Sequence, residues 1–237
     1  MSIGERLLRT RQIVEALAIS GTYHAVKVAG ALIDEEEGVL EHHISHLLGR
    51  KLLSHLKMEV TVEGSENVEG LERYAVVSTH ASYLDWAVLL GYFPLPVRFI
   101  AKRELIWIPV IGSFLKTRGI LIDRKRGVDA KEAIRRATRV AQPWPILIFP
   151  EGTRSPDGKV HPFKRGGLRI LVDAGLSLVP VCIQGTFDAF PRHATAIKTG
   201  CKLLMKVGQP VLPPDPPDRE WMMAEVERRV RALAGAG

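Results

Sequence analysis

From residue 58 to residue 207 the chain alternates short apolar runs with stretches of helical period, and this alternation restricts it to the α/β class. The series begins at period two, with Met58, Val60 and Val62 alternating with Glu59, Thr61 and Glu63 until Gly64 stops the strand. Further strands are expected at 74–79, 97–101, 120–123, 145–149, 177–183 and 202–207. Helices are expected at 85–92, 103–117, 129–141 and 165–175. Apolar runs without a polar face suit strands covered on both sides, so the fold class is α/β, with a mixed, largely parallel sheet flanked by helices.

Upstream of the sheet, Leu40, Ile44, Leu47, Leu48, Leu52 and Leu56 recur at steps of three and four and predict an amphipathic helix. Residues 5–33 read as a weaker helix, broken at 34–38, so residues 1–57 are expected to form a helical hairpin ahead of an α/β domain at 58–237. Arg6, Arg9 and Arg11 precede an apolar stretch as in a secretion leader, but Glu15, His24 and Lys27 interrupt it and argue against export. The longest apolar runs, such as 106–115, fall short of the roughly 20 residues that span a bilayer. Pro213, Pro214, Pro216 and Pro217 form a stiff connection, after which Asp218 is placed to cap a last helix reaching about Ala234.

Charge is unevenly placed. Residues 1–57 carry seven Lys/Arg and seven Asp/Glu, whereas residues 98–169 carry 17 Lys/Arg against 6 Asp/Glu. Such a local excess implies an anionic partner. A nucleic-acid partner is not expected, because neither a basic recognition helix nor a pattern of stacking aromatics accompanies the charge. Cys182 and Cys201 have neither the number nor the spacing for a zinc site or a disulfide framework, so no metal site is expected and a reducing compartment fits.

Three runs at the ends of expected strands carry the candidate chemistry. In Thr79-His-Ala-Ser-Tyr-Leu-Asp-Trp86, His80 and Asp85 flank a strand-to-helix turn, where a carboxylate can return onto the imidazole and make it a general base. The alternative is a structural histidine with an N-cap aspartate. Gly119-Ile-Leu-Ile-Asp-Arg124 places Arg124 after a second strand, and Phe149-Pro-Glu-Gly-Thr-Arg-Ser155 places Glu151, Gly152, Thr153 and Arg154 after a third. Arginines suit a bidentate grip on phosphate, Gly152 permits close backbone approach, and Glu151 or Thr153 can bind a hydroxyl or organise the arginines.

In this order and spacing the runs resemble the signature blocks of the glycerophospholipid acyltransferases, and most closely the lysophosphatidic acid acyltransferases among them. The likeness covers about residues 57–210, with a fourth block at Val179-Pro180-Val181. Many relatives have asparagine where this chain has Thr79. The resemblance implies acyl transfer from acyl-coenzyme A or acyl carrier protein, as cosubstrate and with no bound cofactor, to the sn-2 hydroxyl of 1-acylglycerol 3-phosphate. Other lysophospholipids or a lyso-aminolipid are alternative acceptors. His80 and Asp85 would be the general base, Arg124 and Arg154, with Lys102, the phosphate ligands, and backbone N–H groups near Gly152 the oxyanion donors. The absence of Gly-x-Ser-x-Gly fits direct transfer without an acyl-enzyme. Because such substrates reside in bilayers, peripheral or monotopic attachment to the cytoplasmic face of a membrane is expected, with the leading helix as anchor. Trp86, Trp107 and Phe114 either line an acyl groove or fill core.

Overall fold

Ala75, Val76 and Val77 are all fully buried on one strand, as a central strand covered on both faces requires. The computed structural model describes residues 39–107, 112, 115, 119–122, 127–139 and 144–235. The leading helix expected at 5–33, with Arg6, Arg9 and Arg11, lies outside the described residues, as do Phe114 and Arg124.

Seven strands form one sheet in the order β1-β7-β6-β2-β5-β3-β4. They are β1 (Glu59–Glu63), β2 (Tyr74–Ser78), β3 (Arg98–Lys102), β4 (Ile120–Ile122), β5 (Ile146–Ile148), β6 (Ser177–Gln184) and β7 (Lys202–Val207). Neighbours are parallel except β6 and β7, which run antiparallel with Val181 opposite Val207. This is the mixed, largely parallel sheet the sequence predicts. β2 lies between β5 and β6, pairing Val76 with both Leu147 and Val179.

Period two along β2 divides the core. Val76 faces one hydrophobic cluster together with Leu53, Phe93, Leu147 and Met205. Ala75 and Val77 face a second cluster with Ile134, Leu168, Met222 and Val226. The first cluster is covered by α1 (Val39–His55) and α2 (Asp85–Tyr92), the second by α3 (Gly127–Arg139), α4 (Arg165–Asp173) and α6 (Arg219–Leu233). A short helix, α5 (Thr186–Ala189), follows β6 directly. Asp218 caps α6 as its sequence position suggests, accepting from Trp221 N at 2.9 Å.

One expectation is met in part and one is corrected. The stretch expected as a helix at 103–117 begins as a 3-10 helix, Arg103–Trp107, and is α-helical at Gly112 and Leu115. The expected apolar face of α1 is rotated: Leu47 is 66% exposed, while Ser45, Leu48, Leu53 and Leu56 are buried. The face is set by a close approach of α1 to α2, since a Cβ on Gly49 would lie 2.6 Å from Gly91 N. Arg50 Nε completes the contact by donating to Gly91 O at 2.8 Å.

Candidate active site

The carboxyl end of β2 delivers the first functional residues. Thr79 prolongs its pairing with β6, donating its N–H to Val181 O at 3.2 Å and accepting Ile183 N–H on its hydroxyl at 3.0 Å. The chain then turns, and α2 begins at Asp85 with Leu84 as its N-cap. The aspartate is therefore the first helical residue and not the cap.

The turn places His80 Nδ1 2.9 Å from Asp85 Oδ2, the spacing of a hydrogen bond in which Nδ1–H donates. Asp85 is wholly buried, while the His80 side chain is 22% exposed. The same carboxylate oxygen accepts the N–H groups of Ala81 at 2.8 Å and Ser82 at 2.9 Å. The other oxygen, Oδ1, accepts from the hydroxyl of Thr186 at 2.6 Å. A buried carboxylate so surrounded is fixed in orientation, and it fixes the imidazole in turn. Phe149 stacks on the His80 ring, with centroids 4.1 Å apart and planes 17° apart, which closes one face of the imidazole.

The 149–155 run emerges from β5 next to β2, so parallel pairing brings it to the same end of the sheet. Gly152 takes φ +72°, a left-handed turn that a side chain would strain, and a Cβ there would lie 2.9 Å from Lys164 Nζ. Its N–H donates to Phe149 O at 3.0 Å. Thr153 is exposed and borders the cavity beside His80.

Glu151 is engaged by backbone donors. It is buried, and its carboxylate accepts the backbone N–H groups of His80 at 3.0 Å and His161 at 3.2 Å. It ties the loop of His80 to that of His161. Burial pushes its pKa up, against the pull of the two backbone donors.

Arg154 lies over the Tyr83 ring, its guanidinium carbon 3.5 Å from the centroid, a cation–π contact. Its Nη1 is buried without a hydrogen-bond partner among the described residues. Burial lowers its pKa from the ordinary arginine value. Lys102 ends β3 at the same end of the sheet.

These elements enclose a cavity of about 600 Å³. Its inner wall is apolar, with Phe99, Leu115, Ile122, Ile134, Ile148 and Ile170, and its mouth carries His80, Arg154, Lys164 and Arg192. Among the described residues no carboxylate lines it. Trp86 lines this space, whereas Trp107 is 80% exposed. Thr186, Tyr83, Lys164 and Arg192 escape the sequence reading. The only signal for Thr186 is its place one residue beyond Gly185 at the end of β6.

A family model described as Acyltransferase matches residues 59–184, more than half of the chain and the segment that bears His80, Asp85 and the 149–155 run. The chain belongs to this acyltransferase family. Among curated relatives of this acyltransferase, the 1-acyl-sn-glycerol-3-phosphate acyltransferase of Cocos nucifera is 33% identical over 156 residues, which are 65% of this chain and 50% of that protein. The 1-acyl-sn-glycerol-3-phosphate acyltransferase alpha of Homo sapiens is 33% identical over 175 residues, 70% of this chain and 60% of that protein. The chain thus spans half to three fifths of the length of these two relatives. In fold it resembles the crystal structure of the 1-acyl-sn-glycerophosphate (LPA) acyltransferase, PlsC, from Thermotoga maritima. That likeness has a TM-score of 0.78 and 29% identity, covering 98% of this chain and 97% of that one.

Proposed function

We propose that this chain transfers an acyl group from an acyl thioester, of coenzyme A or of acyl carrier protein, to the sn-2 hydroxyl of 1-acylglycerol 3-phosphate, giving phosphatidate. The observation that carries this reading is the cavity at His80, apolar within, cationic at the mouth and without a carboxylate in its described lining. An amphiphile with an anionic head suits such a space better than a polar metabolite does. The names of the curated relatives support the same acceptor.

In this reading the sn-2 oxygen attacks the thioester carbonyl carbon while His80 Nε2 takes its proton. Collapse of the tetrahedral oxyanion breaks the carbon–sulfur bond, and the imidazolium returns the proton to the departing thiolate. Asp85 keeps Nδ1 protonated, so that Nε2 is the basic nitrogen, and it stabilises the positive ring that forms. Phe149 holds the ring plane. With the Gly152 N–H engaged by Phe149 O, the N–H groups of Thr153 and Arg154 are the candidate oxyanion donors on this turn. Arg154 takes the phosphate, together with Arg124 and Lys102 in the assignment that the family resemblance implies.

Among the described residues no helix is long and apolar enough to cross a membrane. The proposal includes peripheral attachment to the cytoplasmic face, where the acceptor resides, through residues 1–33. Purified protein is to be given labelled acyl-coenzyme A or acyl carrier protein and a panel of lysolipids. Phosphatidate as main product, and a drop of roughly 10² to 10⁴ in turnover for folded His80→Ala, are the expected results. A different favoured acceptor would replace the substrate assignment, and a fully active His80→Ala would remove the general base. Vesicle flotation of the full chain and of one lacking residues 1–33 checks attachment, equal flotation arguing against the leading segment.

A further inference from the structure

We propose that Lys164 and Arg192, outside every signature block, complete with Arg154 the site for the acceptor's phosphate monoester and so determine specificity for a phosphorylated head group. This rests on the acceptor reading above and adds residues to it.

Pairing is the first observation. The arginines of α4 and α6 are matched with carboxylates: Arg165 and Arg169 with Glu220, Arg219 with Asp173, Arg228 and Arg229 with Glu225, and Arg231 with Glu227. Lys164 adjoins Arg165 in sequence, yet among the described residues it has no ion-pair partner, and neither has Arg192 or Arg154. All three cations that line the cavity are thus unmatched among the described residues. They are also close together. Lys164 Nζ lies over the Gly152 turn, two residues before Arg154, and Arg192 lines the same cavity, its charge adding a lesser part to the lowering of the Arg154 pKa that burial causes. Cations gathered without a counter-charge repel one another, and a dianionic ligand among them turns that repulsion into attraction.

The start of α4 adds to this. Lys164 is its N-cap residue without a side-chain cap, and its first turn holds no acidic residue. First-turn N–H groups have no acceptor within the helix and favour an anion. Gly166 and Gly167 form part of the cavity wall. Packing accounts for Gly167, where a Cβ would meet Ile148 Cδ1 at 2.5 Å. Gly166 has no such reason: a Cβ there would meet nothing within 4 Å, and its φ is not positive. The room it leaves is room for a ligand.

The test is steady-state kinetics on wild type, Lys164→Gln, Arg192→Gln, the double variant and Gly166→Ala. Substrates are 1-acylglycerol 3-phosphate, its dephosphorylated counterpart 1-acylglycerol, and acyl-coenzyme A as varied donor. Loss of one charge-assisted contact is expected to raise KM for the phosphorylated acceptor about 10-fold in each Gln variant, with kcat within about 2-fold. The KM for the donor should stay constant, and preference for the phosphorylated acceptor should collapse in the double variant. Gly166→Ala should raise the same KM while keeping or increasing thermal stability, because alanine is the better helix former. A rise in donor KM with acceptor KM unchanged would assign these cations to the phosphates of coenzyme A and overturn the proposal. So would unchanged constants throughout. If wild type itself does not distinguish the two acceptors, the substrate reading fails and this inference with it; if wild type prefers the phosphorylated one and the variants keep that preference, only this inference fails.

Discussion

The backbone N–H of His80 donates to the Glu151 carboxylate at 3.0 Å, across 71 residues of sequence. Since the second carboxylate oxygen holds His161 N–H, the glutamate joins the loop that carries the imidazole to the loop that carries Arg154. A side chain with two acceptor oxygens is needed for both bonds, and glutamine supplies only one.

Glu151→Gln should therefore lower stability by about 1–3 kcal/mol, the cost of leaving a buried donor unsatisfied, and should lower kcat through a displaced His80. Its pH dependence has a definite sign. The Glu151 pKa is raised in the folded protein, so its contribution to stability is complete below the unfolded carboxylate value, about 4.5, and is lost as pH rises through the folded value. Denaturant unfolding of both proteins from pH 4 upward should show the advantage of wild type shrinking as pH rises. A constant difference would contradict the assigned burial.

Asp85→Asn puts an amide group where donors already crowd the carboxylate, so it should destabilise the fold by about 1–3 kcal/mol and reduce turnover at least as far as His80→Ala. Thr186→Val removes only the hydroxyl at Oδ1. It should cost stability in the same range and turnover about 10-fold, with Thr186→Ser close to wild type. Chemical denaturation together with single-turnover rates separates the two effects, and an unaffected Thr186→Val would make that contact incidental.

Tyr83 supports Arg154 with its ring face, so Tyr83→Phe should keep acceptor KM within about 2-fold while Tyr83→Leu raises it several-fold. That corresponds to loss of roughly 0.5–2 kcal/mol of cation–π attraction. Arg154→Lys should rescue only part of the loss in Arg154→Ala, because an ammonium cannot grip two phosphate oxygens in a plane. Identical acceptor KM for Leu and Phe at position 83 would detach Tyr83 from phosphate binding.

Gly49→Leu should lower stability by about 2 kcal/mol or more, since even the first carbon of a side chain would meet the backbone of α2. Leu47→Gln, on the exposed side of the same helix, should be within about 0.5 kcal/mol of wild type. Thermal melts of the pair test the rotated face of α1, and the reverse ranking would restore the face read from the leucine spacing.

The limits of sequence reading follow the range of the interactions. Strand bounds fall within about two residues of expectation, and α2 begins and ends as expected, because apolar runs and turn residues are local signals. The two sides of β2 are likewise legible in its unbroken apolar run. Leu47 misleads because a leucine spacing cannot reveal that Gly49 and Gly91 bring two backbones together. Thr186, Lys164 and Arg192 carry no motif of their own, and each reaches the cavity or Asp85 only through strand order. Glu151 stands in a readable motif, but its acceptors are used on backbone, and no side-chain spacing announces a backbone partner.

The clasp between Thr186 and Asp85 also sets an order in time. The two residues are 101 positions apart, and β6 must pair with β2 before the hydroxyl reaches the carboxylate. Closing so long a loop is a slow, late event in a folding chain. A nascent polypeptide that has emerged only as far as residue 184 would already hold His80, Asp85 and the 149–155 run, yet Oδ1 of Asp85 would still lack this donor. The centre is thus assembled in stages, and Asp85 gains its last fixed hydrogen-bond donor only after β6 has been made and paired.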